Sequence, residues 1–250
     1  MSTCYAKVIG GIGNQLFIAA AGYAYSKKYD KKFVIDISSW SASQGTNPIK
    51  YKDTIFKNFE YNYTTKDNTI HVNEKRFNYD QLPYFDGDIS LNGYFQSLKY
   101  FEDFKDEFIS LLNLPNVSKY KPSENNVAIH IRRGDYLNYP DIHHVCKTTY
   151  FKNQLLKFEG YKQNVFTDSS DYVLNEFKDC NFNIVKSNSE LIDLALMASH
   201  DNIICSNSSF SWWASLLGNP KKKIIVPDKW FNNFEPHEDI YRPEFIKVPV

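Results

Sequence analysis

The sequence predicts an α/β protein built on parallel β-sheets, and three observations carry that prediction. The opening run YAKVIGGIGNQLFIAAAGYAYSKKYDKKFVID reads as strand, glycine turn, Ala-rich helix and second strand. From residue 127 onward, short apolar strand-like runs alternate with helical segments as far as KIIVP. Between these halves, LPNVSKYKPSENN at 114–126 has two prolines and almost no apolar pattern, as an interdomain linker would. Strand and helix in alternation imply a parallel sheet covered on both faces. Such sheets bind ligands beyond the carboxyl ends of their strands.

Local signals place the elements. The first helix runs from about Asn14 to Lys28 and the next strand from Lys32 to Asp36. Residues 38–125 are less regular, with a strand at ISLNGYF and an amphipathic helix around LKYFEDFKDEFISLL that ends before Pro115. Beyond the linker come a strand at 127–132, a helix near Tyr150 to Lys157, strand NVFTD, helix DYVLNEFK, strand FNIVKS, helix ELIDLALMASH, strand NIICS, helix SFSWWASLL and strand KIIVP. The expected division is a first domain over 1–120 and a second over 121–250.

Composition narrows the partners. Hydrophobic residues make up 42% and charged residues 23% of the 250, the profile of a folded globular chain. The 29 basic side chains cancel 29 acidic ones, so no global field favours nucleic acid or an anionic membrane, and any anion site has to be local. Cys4, Cys146, Cys180 and Cys205 show neither C-x-x-C nor zinc spacing, which fits reduced thiols. Without a signal-peptide pattern or an apolar run of membrane-spanning length, a cytoplasmic protein is expected. The sequons at Asn62, Asn116 and Asn207 are then chance products of a chain rich in Asn, Ser and Thr.

Four stretches at strand ends carry candidate chemistry. In VAIHIRRGDY, residues 127–136, period two sets His130 and Arg132 on one face and Arg133 on the other, and Gly134 permits a sharp turn. Arg132 offers a permanently charged fork of donors suited to phosphate oxygens, and His130 a second donor or a stacking surface. The competing role is a salt bridge from Arg132 or Arg133 to Asp135 or another acid; position at a strand end favours function for Arg132, with Arg133 and Asp135 as the internal brace. In GGIGNQLF, Gly10, Gly11 and Gly13 let backbone N–H groups and a helix start approach an anion or polar ligand. The dinucleotide fingerprint fails because Leu16 sits where a third glycine belongs. Asn14 as a helix cap, with Gln15 in solvent, is an equal alternative. In CSNSSFSWWASLLG, Ser208 and Ser209 with the helix N–H groups can cradle a pyrophosphate, although capping needs one of them, and Trp212 and Trp213 read as core. In NVFTDSSD, Asp168 either accepts from a ribose hydroxyl or base edge, or caps the next helix in competition with Asp171.

Together GGIGNQLF, HIRRGDY, VFTDSS and SNSSFSWWASLLGNPKKKIIVPDKWF resemble the α-1,2-fucosyltransferase family of inverting glycosyltransferases, in order and approximate spacing over most of the chain. The resemblance implies a GT-B-like fold, two Rossmann-type α/β domains facing a cleft, with the donor GDP-β-L-fucose held mainly by the second and a glycan acceptor near the first. It implies that Arg132 holds the donor pyrophosphate and that His130, Asp168, Ser208, Ser209 and Phe210 lie around the nucleotide and its phosphates. Asp135 corresponds to a structural acid, and Asn14 and Gln15, with Gly11 and Gly13, to the motif lining the cleft. Ser169 stands where the family commonly has a second acid.

The reaction so implied moves L-fucose to a glycan hydroxyl, the 2-OH of a galactose-type residue, with Arg132 and Asp135 as the catalytic pair. Neither cofactor nor metal is expected, because DGD at 86–88 reads as a surface turn and an arginine can neutralise the departing β-phosphate. Asp36, Asp53 and Asp135 are candidates for the general base, each with a structural role as the stronger reading. Peripheral contact with a membrane carrying glycolipid acceptors is compatible with this. Alternatives stay open: a transferase of the same fold with another donor or linkage, a non-catalytic carbohydrate-binding protein in keeping with 16% aromatic residues, and an NAD-dependent enzyme on the β-α-β start.

Overall fold

In the computed structural model the chain forms two compact units, residues 1–114 with 236–242 and residues 115–235 with 243–250. All residues are described except 65–67, 121, 123, 219, 234 and 235. The change of unit at 114/115 lies at the first proline of the 114–126 segment. The return of 236–242 to the first unit has no counterpart in a two-block division.

The first unit contains β1 (Thr3–Lys7), α1 (Ile12–Lys28), β2 (Lys32–Asp36), β3 (Tyr61–Asn62), β4 (Ile70–Asn73), β5 (Ile89–Asn92) and α2 (Lys105–Leu111). Its strands form one parallel sheet in the order β3-β2-β1-β5-β4. Helix α1 is buried on nearly every side from Ile12 to Ser26, which is why its composition is Ala-rich and apolar all round. Lys27 and Lys28 close it, where cations complement the helix dipole. The expected long helix over residues 98–112 is broken. Two 3₁₀ turns at Leu98–Tyr100 and Glu102–Phe104 precede α2, because Phe101 leaves helical geometry (ψ 11°) to bury its ring edge-on against Phe17 at 6.2 Å. Segment 236–242 joins this unit through Asp239, which accepts from the Tyr79 N–H at 2.9 Å and pairs with Lys99 at 2.5 Å.

The second unit contains β6 (Asn126–Ile131), α3 (Thr148–Leu155), β7 (Lys162–Thr167), α4 (Ser170–Glu176), β8 (Asn183–Ile184), α5 (Glu190–Ala198), β9 (Asn202–Ile204), α6 (Ser209–Leu216), β10 (Lys223–Pro227) and β11 (Phe245–Val248). They form a parallel sheet in the order β11-β10-β9-β6-β7-β8. Strand β6 lies at its centre with all six residues buried, as expected for a Val/Ile-rich strand covered on both faces. Each sheet reverses its winding once: between β1 and β5 in the first unit, and between β6 and β9 in the second. Ligands of open parallel sheets bind at such reversals. Among the described residues, no helix is long and apolar enough to cross a membrane.

A buried polar belt ties the amino ends of the second sheet together. His200 Nδ1 donates to Leu196 O at 2.8 Å, so its Nε2 accepts from Asn164 Nδ2 at 2.8 Å. Asn183 Nδ2 in turn donates to Asn164 Oδ1 at 3.2 Å. Burial, reinforced by Lys221, pushes the His200 pKa from 6.5 down to about 4, which keeps the ring neutral. Because the folded value is depressed, this stability is present above pH 6.5 and is lost as pH falls toward 4, a change of about 3 kcal/mol. Urea unfolding should therefore show falling stability across that window, and His200→Gln should flatten the slope while lowering stability at pH 7.5. An equally steep slope in the variant would assign the acid sensitivity elsewhere.

Candidate active site

The carboxyl end of β6 gathers most of the charged candidates. Arg132 leaves the strand with its guanidinium between two acids: Nη2 is 2.6 Å from Asp135 Oδ1 and Nη1 is 3.1 Å from Asp168 Oδ2. Its side chain remains 34% exposed, so a ligand can still reach it. Asp168, at the end of β7, reaches across to this loop. Its Oδ1 accepts from the Arg133 N–H at 3.0 Å and from Ser169 Oγ at 3.1 Å. Gly134 is required by that approach, since a Cβ there would overlap Asp168 Oδ2. It begins a 3₁₀ turn, Gly134–Asn138, and close contact with Asp168, rather than the sharp turn expected from sequence, is what excludes a side chain.

Two further expectations are corrected here. The brace is not Arg133 with Asp135. Asp135 pairs with Arg132, while the Arg133 guanidinium stacks on the Tyr172 ring at 3.7 Å. Asp168 does not cap α4; Ser169 occupies that position without a side-chain cap bond, and both Asp168 oxygens serve the arginine loop.

Across the reversal, the loop after β9 supplies the polar wall. His130 is 6% exposed, its Nδ1 lies 3.0 Å from Ser206 Oγ, and its ring packs on Phe210 with centroids 5.3 Å apart. Burial, then the Arg132 charge, lowers its pKa to about 3, so His130 acts as a neutral hydrogen-bonding and stacking group. Ser208 is the N-cap of α6, accepting from the Phe210 N–H at 3.3 Å, which leaves Ser209 as the first helical residue. Trp212 and Trp213 are fully buried, edge to face at 5.5 Å, as core residues. Tyr136 joins the two loops. It donates to Asn207 O at 3.0 Å, its ring lies 5.5 Å from the Arg132 guanidinium, and the same ring stacks on His143 at 4.0 Å. Tyr136 stood within the arginine stretch and Ser206 within the serine stretch. What the sequence lacked was the pairing of β6 with β9 that brings them together.

The glycine stretch lies in the first unit, at the end of β1. Gly11 is the N-cap of α1, so Asn14 is not the cap. Asn14 Oδ1 instead accepts from Gln96 Nε2 at 2.9 Å. Gln15 is fully buried rather than in solvent, and its Nε2 donates to Gly10 O and Thr46 O, both at 2.9 Å. Gly13 is buried in the first turn of α1. Among the base candidates, Asp36 accepts from the Ser38 N–H at 3.0 Å and Asn62 Nδ2 at 2.9 Å, which is structural work, and Asp53 lies exposed in a turn. The DGD segment is a surface turn: Gly87 has φ 82°, and Asp88 accepts from the Thr3 N–H at 2.7 Å. Among the described residues, no cluster of three His, Cys, Asp or Glu is disposed to hold a metal ion.

Comparisons with known proteins bear on the fold and the family. An α-1,2-colitosyltransferase of Escherichia coli is 27% identical, spanning 94% of this chain and 97% of its own length. The O-antigen biosynthesis glycosyltransferase WbnK of Escherichia coli is also 27% identical, spanning 91% of this chain and 94% of its own. Among solved structures, the fucosyltransferase NodZ from Bradyrhizobium covers 90% of this chain and 95% of its own at 13% identity and a TM-score of 0.58. A NodZ α-1,6-fucosyltransferase structure soaked with GDP-fucose reaches a TM-score of 0.60 at 15% identity, covering 91% and 95%. These likenesses bear out a GT-B-like architecture of two parallel α/β units. Residues 46–249 match the family model, which takes in the arginine and serine loops and leaves the glycine stretch outside it. With both loops at the sheet reversal inside that match, the chain belongs to glycosyl transferase family 11.

Proposed function

We propose that this glycosyltransferase moves L-fucose from GDP-β-L-fucose to a glycan hydroxyl, with inversion and without a metal ion. The observation that carries the reading is the placement of Arg132, oriented by two carboxylates yet one-third exposed, at the β6/β9 reversal beside the start of α6. Bond breaking builds negative charge on the β-phosphate, and a preoriented guanidinium stabilises it without reorganising. Arg132 Nη2 donates to Asp135 Oδ1 while Nη1 lies within ion-pair distance of Asp168 Oδ2, and these two contacts hold the fork in place. Asp135 thus acts on the arginine rather than on the sugar. Neutral His130, with Phe210 against it, offers an uncharged wall for the nucleotide, and Ser208 and Ser209 bring the α6 N-terminus toward its phosphates.

An acceptor hydroxyl attacks the anomeric carbon from the face opposite the leaving GDP, so a single displacement inverts configuration. The reading assigns the acceptor to the first unit, and a 2-OH of a galactose-type residue as the nucleophile. None of Asp36, Asp53 and Asp135 is assigned as base, since the first and last are held by structural partners and Asp53 sits in an exposed turn.

The colitosyltransferase relative favours a second donor. Colitose is fucose lacking one ring hydroxyl, so the same phosphate and base contacts would serve both, and the choice rests on contacts to that hydroxyl.

Three measurements test this. Arg132→Ala should lower kcat for fucose transfer by roughly 10² to 10³-fold, while the melting temperature changes little because the lost ion pairs are partly exposed. Near-normal turnover in that variant would remove the leaving-group role. Transfer should persist in EDTA, and a strict requirement for added divalent metal would overturn the arginine mechanism. Assayed side by side, GDP-fucose should give the higher kcat/KM over GDP-colitose; the reverse ranking would make colitose the native sugar.

A further inference from the structure

The first sheet has its own reversal, between β1 and β5, and there the loop after β5 meets the first turn of α1, Gln96 Nε2 donating to Asn14 Oδ1 at 2.9 Å. The loop that delivers Gln96 is strained. Phe95 sits at φ 50°, a left-handed conformation that bulky residues rarely adopt, with its ring fully buried and edge-on to Tyr100 at 5.2 Å. Gly93 takes φ 152°, and a Cβ there would overlap Glu74 Cβ. Glu74 clamps the turn, its two oxygens accepting from the Tyr94 N–H at 2.7 Å and the Phe95 N–H at 2.9 Å. Gln96 itself is 6% exposed. On the other side, the Asn14 amide folds over Gly10, where a Cβ would come within 2.6 Å of Nδ2.

Backbone strain persists where the surroundings over-determine it, and it gathers at functional sites. Here a clamped turn brings one amide to another at the sheet reversal, the kind of place where open parallel sheets take ligands. We propose that Gln96 is a positioning residue for the transfer reaction: its bond to Asn14 Oδ1 fixes the orientation of the Asn14 amide for contact with a hydroxylated sugar acceptor. The inference rests on the transferase reading above and adds to it the group that orients the acceptor side. Glu74 and the Phe95 turn are the foundation that holds Gln96 in reach.

A double-mutant cycle tests it, with GDP-fucose as donor and lactose as the acceptor probe. Gln96→Ala should lower kcat/KM for lactose by roughly 10- to 100-fold, while GDP affinity by calorimetry stays within roughly threefold, because the nucleotide is assigned to the other unit. Gln96→Glu, whose carboxylate cannot donate, should fall with it. In an Asn14→Ala background, Gln96→Ala should cost nothing further, since the two act as one group. Additive losses, or an equal loss of GDP affinity, would overturn the proposal. Independently of turnover, hydrogen exchange of residues 10–17 should rise several-fold in Gln96→Ala, and unchanged exchange there would also overturn it. Wild-type protein that transfers no sugar from GDP-fucose would count against the donor reading instead, and the exchange measurement would still decide the Gln96–Asn14 contact.

Discussion

A guanidinium held between two carboxylates at the end of the central strand of the second unit is the interaction on which the rest of its site depends. Arg132 reaches Asp135 within its own loop and Asp168 from the neighbouring strand, so the register of β6 with β7 sets the position of the charge. The same register places Thr167 opposite Ile131, where its hydroxyl donates to the Ile131 carbonyl at 2.8 Å and closes the strand end. Removing either acid would leave the guanidinium held from one side only, and orientation, more than charge alone, is what the two carboxylates supply.

Both units apply one topological device. Each sheet winds outward from a central strand and then reverses, and each reversal is bridged by polar side chains: the Tyr136–Asn207 and His130–Ser206 contacts in the second unit, and the Gln96–Asn14 contact in the first. The two bridges differ in character. The second unit surrounds a fixed charge with aromatic faces, whereas the first uses amides and a strained turn, chemistry better suited to neutral hydroxyls than to phosphate.

Much of this was legible in the sequence, and the parts that were not share a cause. The strand of residues 32–36 and the strand of residues 126–131 followed from their apolar runs, which the sheets bury, three residues of the first and all six of the second. Edge strands β3 and β4 were hidden: YN and IHVN carry no buried alternation and owe their pairing to neighbours. Arg132, His130 and Ser208 were candidates from the sequence because charge or hydroxyls at a strand end stand out, and the structure gathers them around the β6/β9 reversal. Gln15 was open to a solvent reading, since nothing local says that a glutamine will be enclosed by the loop at Thr46. Gln96 and Glu74 were invisible, because their partners are distant in sequence and joined by sheet order alone.

The path of the chain's last stretch bears on how such a protein can be taken apart. Residues 236–242 belong to the first unit, while β11 completes the edge of the sheet in the second. No single cut therefore yields two whole modules: a chain severed at the 114/115 junction leaves the front piece lacking the segment that carries Asp239, and that segment stays attached to the rear piece. Exchange of one half between relatives, by recombination or by design, would have to carry this tail with the front half or rebuild its contacts with Tyr79 and Lys99.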